Sequence, residues 1–426
     1  MVTSVEARPV NYRGLMKKVE QVVAAMERAD DIGTTIHTLL QIIIDKFRDE
    51  LGITGGRLYQ RRGDVYALQS SFGLAKQPPR NFRLPLSYAP IQYVLEEGAV
   101  YMDADDPRMD RSMESLIGVR TFAAIEVGDE EYILAFDVTS EDRGDDVLFS
   151  LGILRHSINQ KIRRDRMEGI FAEARKIQAS ILPRRPPVYG EFDMAGRSDP
   201  MEGVGGDFYD YIPVTSKILG LTIADVSGHG LPAALQVRDI YMGLRMGLAR
   251  DFKIVRTVER MNNIIHQSTL TSRFVSMFYG ELELNGVFIY VNAGHPAPFH
   301  LAADGTARFM EEGGPVLGPL PGATYERGFV IMKPGDMMVF YTDGICETHR
   351  GDGGTEEEYG VDRLLEVARN HQGRPAQEVV DAIFADVAAF AGDAPVEDDR
   401  TVFVVAYPAT PADLTATKAF PRPKFV

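Results

Sequence analysis

Hydrophobic and polar positions alternate with two different periods along the first third of the chain. Between residues 11 and 50 the apolar residues follow helical spacing, as at Leu39, Leu40, Ile43 and Phe47, which predicts one or two helices. The runs GGRLYQRR, VYALQSSFG, TFAAIEVGD and EYILAFDVT predict strands, the last two joined as a hairpin around Gly-Asp-Glu. Between them, APIQYVLEEGAVYMDADDPRM predicts a helix, a Gly stop and an edge strand. This order of elements predicts an α+β module of sensor size over residues 11–157.

The next segment, residues 158–187, is predicted to be a helical linker that ends at a cluster of prolines. Its apolar residues fall at alternating steps of three and four, the signature of a heptad repeat: Met167, Ile170, Ala174, Ile177 and Ile181. Two heptads are few, so two interpretations stay open. The helix either pairs with a second copy as a coiled coil in a homodimer, or packs alone on a neighbouring domain.

Strand patterns return over residues 188–408 and dominate the rest of the chain. Eight or more strands with short connections predict two stacked antiparallel sheets with helices on the outside. Four helices are predicted in this region, at about 231–250, 252–268, 361–371 and 375–391. The tail, residues 409–426, is rich in Pro, Thr and Ala without periodicity, which is typical of a disordered segment.

Composition narrows the class of protein. The 426 residues include 61 acidic and 46 basic side chains, a net charge of −15, which argues against a nucleic-acid partner. The single cysteine rules out an internal disulfide and a cysteine-rich zinc site, and fits a reducing compartment. The N-terminus lacks the apolar core of a secretory signal, and no apolar run approaches 18 residues. We therefore expect a soluble, cytoplasmic protein without a membrane span.

Four motifs in the third region place aspartates where a strand meets a turn. They are GVGGDFYDY with Asp207 and Asp210, IADVSGHG with Asp225, VFYTDGICE with Asp343, and VEDDRTVFVV with Asp398 and Asp399. Each motif alone is a common turn. Together they gather carboxylates that raise one another's pKa unless a cation compensates. Ligation by oxygen alone favours Mg²⁺ or Mn²⁺ over zinc.

These motifs, together with NAGHPAPFHL and GGPVLG, resemble in order and spacing the metal-dependent Ser/Thr protein phosphatases, the PPM superfamily. The resemblance is strongest to the bacterial branch typified by SpoIIE and RsbU, and it covers about residues 165–408. It implies a sandwich of two antiparallel sheets flanked by helices. It also implies a phosphoserine or phosphothreonine substrate, which in this branch is usually a small anti-anti-sigma (STAS-domain) protein of a partner-switching pathway.

The resemblance implies metal-binding roles for particular residues of this chain. Asp225 would bridge two metal ions, Mn²⁺ or Mg²⁺, and the carbonyl of Val226 would bind one of them. Asp343 and Asp398 would complete the other ion's shell, and Asp207 would bind the second ion directly or through water. Asp207, Asp225 and Asp343 are therefore the residues expected to be essential for catalysis.

The sequence does not decide the role of every aspartate in the motifs. Asp399 is the alternative to Asp398, because sequence does not decide which of two neighbouring acids points inward. Asp210 is the weaker candidate and is expected to be structural. Gly228 and Gly230 would permit the tight turn after the bridging aspartate.

Other residues in the motifs are expected to support the fold. His229 is expected in the turn, and Asn292 and His295 are expected to brace another. Two ions can supply a hydroxide-like water, so no protein nucleophile is needed and Cys346 is expected to be packed. Larger members of the superfamily place an Arg before the first acidic motif to grip phosphate. Here the nearest upstream Arg is Arg197.

The N-terminal module resembles a GAF domain through LPLSYAPIQYVLEEGAVYMDADDP followed by LIGVRTFAAIEVGDEEYILAFDV. That resemblance implies a sensor for a small molecule or a protein signal, and a purely structural dimerisation module is the alternative. For the whole chain we weighed two other functions. GGDFYD superficially resembles the GGDEF signature of diguanylate cyclases, but Phe208 stands where Glu is required. A pseudophosphatase scaffold would lack a metal aspartate, and none is missing.

Overall fold

The computed structural model divides into two compact units, Met1–Gly169 and Ile170–Val426. The residues that it describes are 12–27, 32–74, 76, 78–79, 81–103, 105–118, 120–139, 144–228, 230–248, 253–267, 274–350 and 357–409. The predicted disordered tail therefore lies almost entirely outside the described residues, and so does His229. Among the helices that are described, none is both long enough and apolar enough to cross a membrane.

The first unit is a six-stranded sheet with helices on both faces. Its elements are α1 (Tyr12–Glu27), α2 (Ile32–Leu51), β1 (Ile53–Arg62), β2 (Val65–Phe72), β3 (Arg83–Pro85), α3 (Ala89–Glu97), β4 (Ala99–Met102), α4 (Arg111–Ile117), β5 (Phe122–Val127), β6 (Tyr132–Val138) and the first part of α5 (Gly144–Ile181). The strand order is β3-β2-β1-β6-β5-β4, and every neighbouring pair is antiparallel.

Two apolar clusters, one on each face of this sheet, hold the unit together. One joins the sheet to α1, α2 and α5 and contains Leu40, Ile43 and Phe47, so the predicted helical face is buried. The other lies beneath α3 and α4. The predicted hairpin is β5–β6, and the predicted Gly stop is Gly98, which has a left-handed φ of 76°. Helix α4 was not predicted; it is short, and Asp110 caps its first turn.

Helix α5 runs without interruption from Gly144 to Ile181, so the predicted linker is the second half of one long helix. Most of the side chains at its heptad positions are exposed or partly exposed. Met167 is 58% exposed, Ile170 55% and Ile177 49%, while Ala174 and Ile181 are half-buried.

The second unit contains the remaining strands and helices. They are β7 (Asp193–Asp199), β8 (Phe208–Thr215), β9 (Ile218–Val226), α6 (Gly230–Leu248), α7 (Ile254–Gln267), β10 (Val275–Glu283), β11 (Val287–Ala293), β12 (Phe299–Leu301), β13 (Ala307–Phe309), β14 (Gly313–Gly314), β15 (Gly328–Ile331), β16 (Met337–Tyr341), α8 (Asp343–Cys346), α9 (Val361–Asn370), α10 (Ala376–Ala391) and β17 (Arg400–Ala406).

These strands form two sheets that pack face to face. One has the order β14-β11-β10-β9-β8 with β15 beside β11, and the other has the order β13-β12-β16-β17-β7. A single aromatic cluster takes residues from both sheets, and within it the rings of Phe340 and Phe403 stack with centroids 4.0 Å apart. Separate clusters pack α6 and α7 on the first sheet and α9 and α10 on the second. The predicted sandwich flanked by helices is confirmed.

Candidate metal centre

The acidic motifs come from neighbouring strand ends in both sheets. Asp207 immediately precedes β8, and Asp225 is the penultimate residue of β9, with Phe208 paired to Ala224 in the antiparallel register. In the facing sheet, Asp343 begins α8 directly after β16, and the Asp398–Asp399 pair precedes β17, the neighbour of β16. The sandwich therefore brings residues that are nearly 200 positions apart to one end of the two sheets.

Glycines give the backbone the shape that this end requires. Gly228 and Gly230 have φ values of 86° and 72°, which residues with side chains rarely adopt, so the predicted tight turn after β9 is confirmed. Gly206 is needed for space, because a Cβ atom there would lie 2.7 Å from the carbonyl oxygen of Val226. The amide of Val226 donates to the carbonyl of Gly206 at 3.3 Å, which ties the two motifs together.

Asp207 is deeply buried, with 3% of its surface exposed. Burial raises the pKa of its carboxyl well above the ordinary value, and the nearby carboxylate of Asp225 raises it further. The hydroxyl of Thr342 donates to its Oδ2 at 2.8 Å and in turn accepts from the amide of Thr401 at 3.0 Å. This chain of hydrogen bonds fixes the orientation of the Asp207 carboxylate.

Asp225 stands at the centre of the acidic group. Burial, followed by the negative charges of Asp343, Asp398, Asp399 and Glu347, raises the pKa of its carboxyl to about 8. The pKa of Asp343 is also raised, by burial and then by Asp398. No basic side chain is among the main causes of either shift, and within the described part of the chain none forms an ion pair with Asp207, Asp225 or Asp343.

The two adjacent aspartates before β17 have different surroundings. Asp399 is 2% exposed, and its two oxygens accept hydrogen bonds from the amides of Met201 (2.7 Å) and Gly206 (2.6 Å). It therefore braces the loop that leads into β8. Asp398 is exposed, and its Oδ1 accepts from the amide of Asp399 at 2.8 Å. Asp398 is the freer of the two to bind an ion.

The carboxylate oxygens at this end of the sandwich suit a hard cation, but the number of side chains that could share one ion is limited. Over the residues that the structure describes, no group of three or more His, Cys, Asp and Glu side chains could hold a single ion. Three carboxylates that share one ion here would therefore have to move closer together as it binds. Backbone carbonyls and water would supply the remaining ligands. Mg²⁺ is commonly bound in this way. The uncompensated buried carboxylates supply the charge that such an ion would neutralise.

Asp210, Asn292 and His295 have structural surroundings. Asp210 pairs with Arg245 of α6 at 2.7 Å, and burial raises the pKa of its carboxyl to about 6. The side chain of Asn292 bonds both the amide and the carbonyl of His295, so the predicted brace of the turn is confirmed. Burial lowers the pKa of His295 to about 3, so its ring is neutral and contacts Ser276 and the carbonyl of Tyr341.

The contacts of Cys346 and Arg197 also indicate structural roles. Cys346 lies in α8 and packs against the cluster under α9 and α10, as expected from sequence. Burial raises the pKa of its thiol to about 12. Arg197 is paired with Asp199 at 3.0 Å and lies over the ring of Phe384.

Sequence reasoning missed the residues that orient the acids. Thr342 directly precedes Asp343 and Thr401 lies two residues after Asp399, so their closeness to the acidic motifs was the available signal. Gln178 of α5 could not be foreseen: it is 7% exposed, donates to the carbonyl of Gly205 at 2.7 Å and accepts from the amide of Gly205. It joins the helix to the loop that carries Asp207.

Comparison with known proteins identifies the class of the second unit. The fold is that of PP2C-type phosphatase domains: the SiaA-PP2C domain of Pseudomonas aeruginosa superimposes with a TM-score of 0.52, at 20% identity, over 57% of this chain and 98% of that domain. The family model for stage II sporulation protein E (SpoIIE) matches residues 215–408. Over these residues the chain is similar to the SpoIIE family.

Two curated relatives extend the likeness. The phosphoserine phosphatase RsbU of Bacillus subtilis is 28% identical over 234 residues, 54% of this chain and 68% of RsbU. Protein IcfG of Synechocystis is 25% identical over 323 residues, 66% of this chain and 49% of IcfG. The chain thus matches only about half of the length of IcfG.

Proposed function

We propose that this chain is a cytoplasmic, signal-regulated protein serine/threonine phosphatase that uses two divalent metal ions, Mn²⁺ or Mg²⁺. The observation that carries the proposal is the group of buried carboxylates with raised pKa values and no basic partner at one end of a PP2C-type sandwich. The match of residues 215–408 to the SpoIIE family model and the likeness to the phosphoserine phosphatase RsbU support it.

In this proposal Asp225 would bridge the two ions and the carbonyl of Val226 would bind one of them. Asp343 and Asp398 would complete the other ion's shell, and Asp207 would bind the second ion directly or through water. We place Asp398 rather than Asp399 in the shell, because both oxygens of Asp399 already accept backbone hydrogen bonds.

The reaction is hydrolysis of a phosphate monoester. When bound, the ions would supply a water of lowered pKa and would polarise the phosphoryl group. The chain's own residues position the ligands: Thr342 holds the Asp207 carboxylate in one orientation, and Asp399 holds the loop that carries it. The exposed side chains of Asp398 and Glu347 leave this end of the sandwich open to a protein substrate. The protonated, packed thiol of Cys346 plays no part.

The proposed substrate is a phosphorylated anti-anti-sigma (STAS-domain) protein. Support comes from the resemblance to the partner-switching branch and from RsbU. The test is to incubate the full chain with phosphorylated STAS proteins of the same organism, with and without Mn²⁺, and to follow phosphate release. Release that depends on Mn²⁺ from one of them, and not from an unrelated phosphoprotein, is the expected result.

A non-catalytic scaffold that binds a phosphoprotein is the second candidate. One observation favours it, namely that no three metal-binding side chains are gathered closely enough, within the described ranges, to hold an ion. The two candidates differ on a generic substrate. An enzyme hydrolyses p-nitrophenyl phosphate at a rate that rises with Mn²⁺ concentration, whereas a scaffold binds phosphoprotein without releasing phosphate.

We further propose that residues 11–157 are a GAF-like sensor, that 158–187 are the linker and that 188–408 are the catalytic domain. A six-stranded antiparallel sheet with helices on both faces supports the sensor assignment. The signal would be a small molecule or a protein.

The homodimer is also a proposal, and the apolar residues of α5 support it. Met167, Ile170 and Ile177 follow heptad spacing and are about half exposed, which leaves an apolar stripe that the described residues do not cover. Pairing with the same stripe of a second copy would bury it. The small side chain of Ala174 would leave a weakly packed layer in the seam, so that alternative packings would differ little in free energy.

A further inference from the structure

A groove lies beside the acidic site, between β7, α10 and the chain segment that leads into β17. Its volume is about 390 Å³. Helix α10 lines it with the exposed side chains of Ala385 and Ala388 and with the ring of Phe384. Met201 and Val396 complete the apolar lining, and Val396 is 45% exposed. The described residues therefore leave an open apolar groove of the size of a ligand-binding site.

The groove is tied to the acidic site through the backbone. Arg400 begins β17 and pairs in register with Asp199, the last residue of β7. Two residues further on, the amide of Met201 donates to Oδ1 of Asp399 at 2.7 Å. The same loop then continues to Asp207. A chain segment that lies in the groove therefore lies next to the loop that carries the acidic site.

Arg400 separates the groove from a smaller cleft that belongs to the acidic site. The cleft has a volume of about 130 Å³, and its lining includes Arg400, Asp398 and Glu347. Arg400 also lines the groove. One side chain thus borders both the groove and the aspartate that we assign to the metal shell.

The two arginines of the groove are bonded differently. Arg197 donates to Asp199 at 3.0 Å, so its charge is balanced. Arg400 is half-buried, and its guanidinium group has no hydrogen bond or ion pair with any residue that the structure describes. On the side of the cleft, the charge of Asp398 would be taken up by the bound ion. A guanidinium group binds a carboxylate through two parallel N–H donors, so Arg400 is suited to an acidic side chain of a partner.

We propose that the groove docks the segment of the phosphoprotein substrate beside its phosphorylated residue, with an apolar side chain against Phe384 and an acidic side chain bonded to Arg400. This inference rests on the proposed phosphatase function, because the docked segment is the one that presents the phosphoserine to the metal centre. Arg400 selects the substrate, while the ions hold the phosphate.

The probes are phosphoserine peptides of alanine and glycine that carry one leucine and one glutamate, placed before the phosphoserine in one peptide and after it in the other. For binding, a phosphonate that cannot be hydrolysed replaces the phosphate ester, and fluorescence anisotropy with the full chain in Mn²⁺ gives Kd. We expect one placement to bind at least about fivefold more tightly than the same peptide with glutamine in place of glutamate. Arg400→Gln should abolish this preference.

Matched variants separate docking from general effects of substitution. Arg374→Gln should keep the glutamate preference, because Arg374 is exposed and lies just before Ala376, whose amide bonds Asp193 at the opposite end of β7. Ala388→Leu should fill the groove and weaken binding of the leucine peptide several-fold. Ala389→Leu, at the next exposed position of α10 but outside the groove, should bind as wild type does. Circular dichroism shows that each variant folds.

Hydrolysis distinguishes this inference from the proposed function. Arg400→Gln should lower kcat/KM for the phosphoserine peptide at least about fivefold more than for p-nitrophenyl phosphate, which has no segment to fill the groove. Equal losses on both substrates would show that Arg400 holds the phosphate and would overturn the docking role. A glutamate preference that is absent in wild type, or that survives in Arg400→Gln, would overturn it as well. A wild type that shows the preference but releases no phosphate would support docking and contradict the phosphatase function.

Discussion

Replacement of Asp225 by Asn should stabilise the metal-free protein and at the same time abolish its activity. The carboxyl of Asp225 has a pKa of about 8 in the fold, against an ordinary value of 3.8. Because the folded pKa is the higher one, this group stabilises the fold fully only below about pH 4, and the contribution is lost as the pH rises towards 8. Asn keeps the shape of the side chain and removes the titration.

The size of the effect follows from the two pKa values. One pKa unit corresponds to about 1.4 kcal/mol. At pH 7 the carboxyl is ionised in the unfolded protein but mostly protonated in the folded one. Compared with a pH below 4, the free energy of unfolding of the wild type is therefore lower by the equivalent of about three pKa units, or up to about 4 kcal/mol. At pH 5 this loss of unfolding free energy is only about one pKa unit. The advantage of Asp225→Asn should therefore more than double between pH 5 and pH 7.

Urea unfolding after dialysis against EDTA measures this difference, with far-UV circular dichroism as the signal because the chain has no Trp. Asp304→Asn is the control: Asp304 is exposed, and the amide and hydroxyl of Thr306 lower its pKa, so this variant should gain no stability. Added Mn²⁺ should stabilise the wild type and leave Asp225→Asn unchanged. Equal stability of the two proteins in EDTA, or an advantage independent of pH, would refute the assignment of Asp225 to a repulsive acidic group.

Three further predictions follow from the contacts around the site and the linker. Thr342→Val removes the hydrogen bond to Asp207 and should weaken Mn²⁺ binding by about 10–100-fold in a metal titration; Thr222→Val, which loses an equally buried hydroxyl bonded to Phe278, should leave the affinity unchanged. Cys346→Ser should retain phosphatase activity, and a large loss in a p-nitrophenyl phosphate assay would contradict a packing role. Ile177→Glu should lower self-association in analytical ultracentrifugation and change basal activity; a wild type that is monomeric at micromolar concentration, with Ile177→Glu equally active, would exclude the dimer seam.

The sandwich was predictable because its core is repetitive. Alternating apolar residues mark strands whose inner faces share one aromatic cluster, and Phe340 and Phe403 are typical of that pattern. Short elements carry too little periodicity to be predicted. Helix α4 has seven residues and α8 has four, so the surroundings of Cys346 became clear only from the tertiary structure.

The acidic site, too, was only partly predictable from the sequence. The acidic motifs were visible in the sequence because each places Asp next to a strand, where the strand meets a turn. Which oxygens are already bonded depends on chain segments far apart: Asp399 accepts from Met201, 198 positions away, and Gln178 reaches Gly205 from α5. Sequence therefore left Asp398 and Asp399 as alternatives, and only the hydrogen bonds distinguish them.

Metal-dependent hydrolysis of a phosphate ester is the most direct test of the proposed function. Phosphate release from p-nitrophenyl phosphate is measured against Mn²⁺ concentration for wild type, Asp225→Ala and Asp343→Ala, with circular dichroism to show that each variant folds. The proposal predicts a wild-type rate that rises with Mn²⁺ and saturates, and variants below about a tenth of that rate, a loss of more than about 1.4 kcal/mol in transition-state stabilisation. A folded wild type without metal-dependent release, or a variant above a tenth of its rate at saturating Mn²⁺, would contradict it.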